Sequence, residues 1–116
     1  MKYEATITSI GSLADSFLLN NNSMILLDEG IHPNLAEMVI QHTSSRIIGE
    51  IKPGDKATIG RSKFTVIQVG ETANQSLNDE GHCTLVINAK GTMPGQIILE
   101  GRALPRLKVG DKITFS

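Results

Sequence analysis

The sequence predicts an all-β domain: a small closed or nearly closed β-barrel with one or two short helices. Three observations carry that prediction. Short runs rich in β-branched residues are punctuated throughout by Gly, Pro, Asn and Asp. Helical periodicity is confined to two brief segments. At 116 residues the chain has room for one domain, 1–116, and a modest core, and a closed barrel protects its strand edges without a large interior.

In chain order, Tyr3–Ile10 alternates around Ala5, Ile7 and Ile10 and stops at Gly11. Ser23–Asp28 follows the turn signal Asn20-Asn21-Asn22, because Asn tolerates left-handed backbone. Arg46–Ile51, Lys56–Ile59, Phe64–Val69, Cys83–Asn88, Gln96–Glu100 and Lys112–Phe115 complete the predicted strands. Asn34 is placed to cap a helical turn from Leu35 to about Val39 that passes into extended chain. Ala73–Asp79, before Gly81, is the second helical segment. The stretch Ile51–Ile59, with Lys-Pro-Gly-Asp-Lys, returns as Leu107–Phe115, with Lys-Val-Gly-Asp-Lys. This echo reads as a shared turn-to-strand device, with Gly54 and Gly110 supplying positive φ. Two turns do not by themselves establish a duplicated half-barrel.

Composition excludes several functions. Aromatic residues are 3% of the chain and tryptophan is absent, so the core is aliphatic and lacks the stacking platforms of single-stranded nucleic-acid binders. A net charge of −1 offers no footprint for a phosphate backbone, so no nucleic-acid partner is expected. Cys83 is the only cysteine, which rules out an internal disulfide and a thiolate zinc site; a buried, inert thiol is expected there. The N-terminus lacks the apolar run of a signal peptide, and no stretch has the ~20 apolar residues of a membrane span. A cytoplasmic protein with no membrane insertion is expected.

His32, His42 and His82 are the three histidines. None pairs with another at ligand spacing, so no metal is expected. His32 falls in a loop before Pro33, where a solvated ring is expected. His42 ends the apolar run Met38-Val39-Ile40 and opens Thr43-Ser44-Ser45-Arg46. Because an unperturbed imidazole has a pKa of about 6.5, it can act as a neutral nucleophile near pH 7. Neighbouring hydroxyls, turn N–H groups and Arg46 would hold the oxygens of a phosphoryl group carried on it. The competing reading is an ordinary strand-end histidine. His82, in Gly81-His82-Cys83-Thr84-Leu85, reads either as a half-buried structural ring or as a partner that orients His42. Alternation sends His82 and Cys83 to opposite faces.

The ordered set Gly30-x-x-Pro33-x-Leu35-x-Glu37, His42, Gly49, Pro53-Gly54, Ile59-Gly60, Val69-Gly70, Gly81-His82-x-Thr84-Leu85, Pro94-Gly95, Gly101 and Gly110-Asp111 resembles the glucitol/sorbitol-specific enzyme IIA of the bacterial phosphotransferase system. The likeness spans essentially the whole chain. It implies a phosphocarrier that takes a phosphoryl group from the phosphohistidine of HPr and passes it to the IIB component of a permease whose IIC component lies in the membrane. No cofactor is implied. The phosphorylated histidine falls on His42, Thr43 and Ser44 would hold the phosphoryl oxygens, and His82 would orient or stabilise. Where relatives can carry Cys and a second His after the acceptor, this chain has Thr43 and Ser44. An unpaired edge strand would let two copies associate. The alternative function is a non-catalytic β-barrel module, binding or regulatory. A carrier would show an accessible histidine and a ligand barrel an enclosed pocket.

Overall fold

In the computed structural model, which describes residues 1–30, 36–43 and 45–116, the alternating runs become strands that share one interior. They are β1 (Tyr3–Ile10), β2 (Ser23–Asp28), β3 (Val39–His42), β4 (Lys56–Ile59), β5 (Ser62–Val69), β6 (Cys83–Ile87), β7 (Gln96–Glu100) and β8 (Lys112–Phe115), with helices α1 (Ala14–Asn21) and α2 (Ala73–Glu80). A 3₁₀ turn over Ala36–Met38 leads directly into β3, as the Met38-Val39-Ile40 run predicted; Asn34 and Leu35 lie outside the described residues. The strands close in the order β1-β3-β2-β6-β7-β5-β4-β8. Closure leaves no free edge on this barrel, so the edge pairing between copies allowed by the sequence has no strand to use.

Side chains on the inner face fill the barrel. Ile, Leu, Val and Ala dominate, and the buried aromatics are Tyr3, Phe64 and Phe115, as expected of an aromatic-poor sequence.

The echo around the two Gly-Asp turns extends far beyond them. Each half runs strand, short helix, two parallel strands, turn, strand: β1-α1-β2-β3-β4 and β5-α2-β6-β7-β8. β2 pairs parallel with β3, and β6 with β7. β1 and β5 are bulged at corresponding places, between Ile7 and Ser9 and between Val66 and Gln68. The helices bury Ala14 and Leu18 in one half and Ala73 and Leu77 in the other. Single hydrogen bonds recur as well. Gly110 N–H donates to Ile7 O at 2.8 Å and Gly54 N–H to Val66 O at 2.7 Å. The two copies then pair with each other through β4 and β8, where Thr58 faces Thr114. The fold is a duplicated half-barrel.

Two expectations are corrected. Arg46–Ile51 is not a strand. Ile47 N–H donates to Asn78 Oδ1 at 3.0 Å and Ile51 N–H to Asn74 Oδ1 at 2.8 Å, so side chains of α2 replace a strand partner. Helix α1 was not foreseen. Its sequence, ADSFLLNN, is half Ser, Asn and Asp, and Leu13 at its start makes no side-chain cap. What holds it is the single Ala14/Leu18 stripe against the barrel and a left-handed Asn22 at its end (φ 53°). The triple asparagine thus ends a helix before it opens a strand.

The matched turns yield a prediction. Gly54 and Gly110 have φ of +97° and +96° with open space around each, so the cost of a side chain there is conformational alone. Gly54→Ala and Gly110→Ala should each destabilise by about 1–2 kcal/mol, and by similar amounts. Urea-unfolding midpoints of the two variants check this; markedly unequal losses would deny the equivalence of the turns.

Candidate functional site

His42 is the last residue of β3, held between β1 and β2, where it faces Ile7 on one side and Asp28 on the other. Its ring points into the barrel and is buried (0% exposed), which corrects the expectation that a carrier's histidine lies open to solvent. The ring of Tyr3 stands edge-on to it at 6.4 Å between centroids. Nδ1 lies 2.9 Å from the carbonyl oxygen of Thr43, and Nε2 lies 2.9 Å from that of Gly81. An imidazole with one N–H donates to one of these oxygens at a time. The buried ring therefore has a built-in choice of two acceptors, one local and one from the α2–β6 junction.

Gly81 reaches the ring because it ends α2 in left-handed conformation (φ 64°), its N–H returning to the Leu77 carbonyl at 3.1 Å. It also lies flush against β2: a Cβ on Gly81 would sit 2.5 Å from Cβ of Asp28. Glycine meets both the φ requirement and the close approach. Its carbonyl was not among the candidates, and the only sequence sign of it was a glycine closing a helical segment.

The structure separates the remaining candidates. His82 is exposed and precedes β6; β2 lies between β3 and β6, so the strand adjacency needed to bring its ring to His42 is missing. The residue that bridges to His42 is its neighbour Gly81, through the backbone. Cys83 does face the opposite way, fully buried, with burial pushing its thiol up to about 12, so it stays protonated near neutrality. Thr43 is half-buried. Its N–H donates to Thr6 O at 2.9 Å and its Oγ1 accepts the Thr6 N–H at 3.0 Å, which leaves the hydroxyl proton for another acceptor. Ser44 and His32 lie outside the described residues.

Two further side chains mark this end of the barrel. Tyr3 is 1% exposed, and among the described residues its hydroxyl has no hydrogen-bond partner. Burial first, then Asp28 and Cys83, hold its phenol well above the usual tyrosine range, so it is a neutral donor at any working pH. Asp28 accepts the Gly30 N–H at 2.7 Å beside His42 in register. The alternation of β1 already placed Tyr3 on the inner face, though nothing in the sequence distinguished its hydroxyl.

Among the described residues, no three His, Cys, Asp or Glu side chains gather as a metal set, and no helix is long and apolar enough to cross a membrane.

Comparison with known proteins adds a second line of argument. Residues 2–114 match the family described as the PTS system glucitol/sorbitol-specific IIA component. The chain is 28% identical to glucitol/sorbitol-specific EIIA components of Shigella flexneri and Escherichia coli K12, over 97% of its own length and 93% of theirs. It also resembles the crystal structure of a PTS system IIA component from Enterococcus faecalis V583, with a TM-score of 0.83, 25% identity and coverage of 97% of this chain and 98% of that one.

Proposed function

The chain belongs to the glucitol/sorbitol-specific IIA component family of the phosphotransferase system and is a phosphocarrier of sugar transport, and from that premise we propose that His42 is the residue that carries the phosphoryl group. One observation supports the choice above the others. In the duplicated fold the place of His42 on β3 is taken in the second half by Leu99 on β7: Ile7 pairs with His42 as Val66 pairs with Leu99. A polar ring thus occupies a slot that the same architecture fills with leucine, so the barrel does not require the imidazole.

Residues 1–116 act as one carrier domain in this reading, on the cytoplasmic side, between HPr and the IIB component of a glucitol/sorbitol permease with its membrane IIC component. The N–P bond of phospho-HPr breaks as a bond to a bare His42 nitrogen forms in line, through a loose transition state. The ring first withdraws from the carbonyl facing that nitrogen, because phosphorus must approach along the lone pair that the carbonyl covers. Its proton stays on the other nitrogen, donated to the remaining carbonyl. Thr43, through its unused hydroxyl proton, and Ser44 hold the phosphoryl oxygens. His82, exposed beyond Gly81, acts through that glycine on the ring's position. Transfer to IIB reverses the sequence, and positioning with charge stabilisation supplies the catalysis.

The test is labelling with radioactive phosphoenolpyruvate, enzyme I and HPr. Wild type should take one acid-labile label, His42→Ala none, and His82→Ala should keep it at a reduced rate. A label that persists in His42→Ala and vanishes in His82→Ala would reverse the assignment. A folded wild type that takes no label would favour the non-catalytic module, for which a buried structural histidine is the natural state.

A further inference from the structure

Around the start of β5 and along the connection from β7 to β8, the surface carries a cluster of exposed cations. Arg61, Arg106 and Lys108 line one depression together with Asp111. Lys63 and Arg102 line the adjoining one, and the two share Ser62. All five cations are exposed, and none forms an ion pair with a described residue. The chain as a whole has a formal charge of −1, so this face is positive on a molecule whose remainder is net acidic.

The duplication shows that the fold itself does not demand such a surface. In the first half, Lys2 is tied to Asp55 at 2.8 Å. Arg61 and Asp111 hold the matching places in the second half and make no ion pair among the described residues. The connection from β3 to β4 balances Glu50 and Asp55 against Arg46 and Lys52, whereas the connection from β7 to β8 carries Arg102, Arg106 and Lys108 against Asp111 alone. One half holds the histidine, and the other has gathered positive charge.

Position narrows the use of that charge. In the closed strand order β5 lies diametrically across the ring from β3; Arg61 immediately precedes β5 and Lys63 is its second residue. On the phosphocarrier reading, on which this inference rests, both transfer partners must reach His42, so their reacting faces are spent elsewhere. We propose that this face rests on the anionic headgroups of a lipid bilayer and keeps the carrier beside its membrane permease. The five cations spread over two adjoining depressions rather than converging on a point, which suits an extended anionic sheet better than a single small ligand. Val109, 55% exposed at the turn next to Lys108, adds a small apolar contact. Attachment of this kind is weak, reversible and screened by salt.

The experiment is sedimentation of the unphosphorylated protein with vesicles of pure phosphatidylcholine and of equal parts phosphatidylcholine and phosphatidylglycerol. Binding is expected to the mixed vesicles only, and to disappear at about 1 M salt, where the screening length falls to ~3 Å. At about five-fold per cation, the triple variant Arg61→Gln/Arg106→Gln/Lys108→Gln should bind roughly a hundredfold more weakly. The charge-matched variant Lys52→Gln/Lys56→Gln/Lys90→Gln, altered on other exposed sites, should lose far less. No binding to mixed vesicles, or equal losses in the two variants, overturns the proposal; an acidic protein partner would give the first of these results. Because no phosphorylation enters the measurement, the membrane proposal can fail while His42 still takes label, and a failure of labelling is seen separately.

Discussion

A His42→Leu variant should fold, keep its barrel and accept no phosphoryl group. The fold already holds leucine at the equivalent place, since Leu99 is fully buried on β7 and its main chain makes the matching contact. Asn88 N–H donates to Leu99 O at 2.7 Å, as Glu29 N–H does to His42 O at 2.8 Å. Removing the imidazole takes a donor from the Thr43 and Gly81 carbonyls, at about 1–3 kcal/mol for an unsatisfied buried group. Burying a leucine side chain returns about 1.5–3 kcal/mol. The two terms nearly cancel, so thermal unfolding followed by circular dichroism should move by no more than ~2 kcal/mol, while labelling from phospho-HPr is lost completely. A variant that fails to fold would show that His42 is needed by the barrel, and the duplication argument for its chemical role would fall. A variant that still takes label would place the acceptor elsewhere.

The largest loss of stability is expected from Gly70→Ala. Gly70 lies where β5 ends before α2, and a Cβ there would stand 2.2 Å from the Met93 carbonyl oxygen and 2.3 Å from that of Pro94. Both obstacles are backbone, and that backbone is itself engaged: Thr72 N–H donates to Pro94 O at 2.9 Å, and Gly70 N–H to Gln96 O at 2.7 Å. No rotamer change can relieve the overlap. The 92–96 turn must move away from α2, which breaks these bonds and shifts the start of β7. We expect about 3 kcal/mol or more, a large share of the 5–15 kcal/mol that holds a domain of this size. Gly95→Ala is the control, because nothing stands within 4 Å of a Cβ at Gly95 and its φ is not in the left-handed region. Urea denaturation of the pair should show a wide gap in midpoint; a loss below about 1 kcal/mol for Gly70→Ala would mean the turn yields far more easily than its hydrogen bonds suggest.

The strands were legible because alternation is a local pattern and each run is bounded by residues that favour turns. Their ends moved only where a particular contact intervened. β6 stops at Ile87 because Asn88 turns to positive φ, and its side-chain amide exchanges two hydrogen bonds with the Gly101 backbone. The segment Arg46–Ile51 misled because Ile51 does bury, to 1% exposure, and Ile47 in part, while Ile48 stays 85% exposed; its main chain bonds the asparagines of α2 rather than a strand of the sheet. Helix α1 escaped notice for the converse reason. Its composition opposes a helix, and the barrel wall supplies what its propensity lacks. At the site, a strand-end imidazole followed by hydroxyls made His42 and Thr43 candidates, and the family resemblance set His42 above an ordinary strand-end histidine. Its two carbonyl partners were not visible, one of them because Gly81 is brought across by a β6 strand that pairs with β2 and not with β3 itself.

Taken alone, the amino-acid order determined an aliphatic all-β domain, two recurring Gly-Asp turns and a strand-end histidine followed by hydroxyls, because periodicity, turn residues and side-chain chemistry are properties of short stretches of chain. Tertiary structure decided the rest. It joined the two turns into halves of a duplicated barrel by pairing β4 with β8, closed the ring so that no edge was left, and turned the His42 ring inward onto two carbonyls. It also set β5, with Lys63 near its start, across the ring from β3 and its histidine. Each depends on hydrogen bonds between residues far apart in the chain, and so on which strand lies beside which.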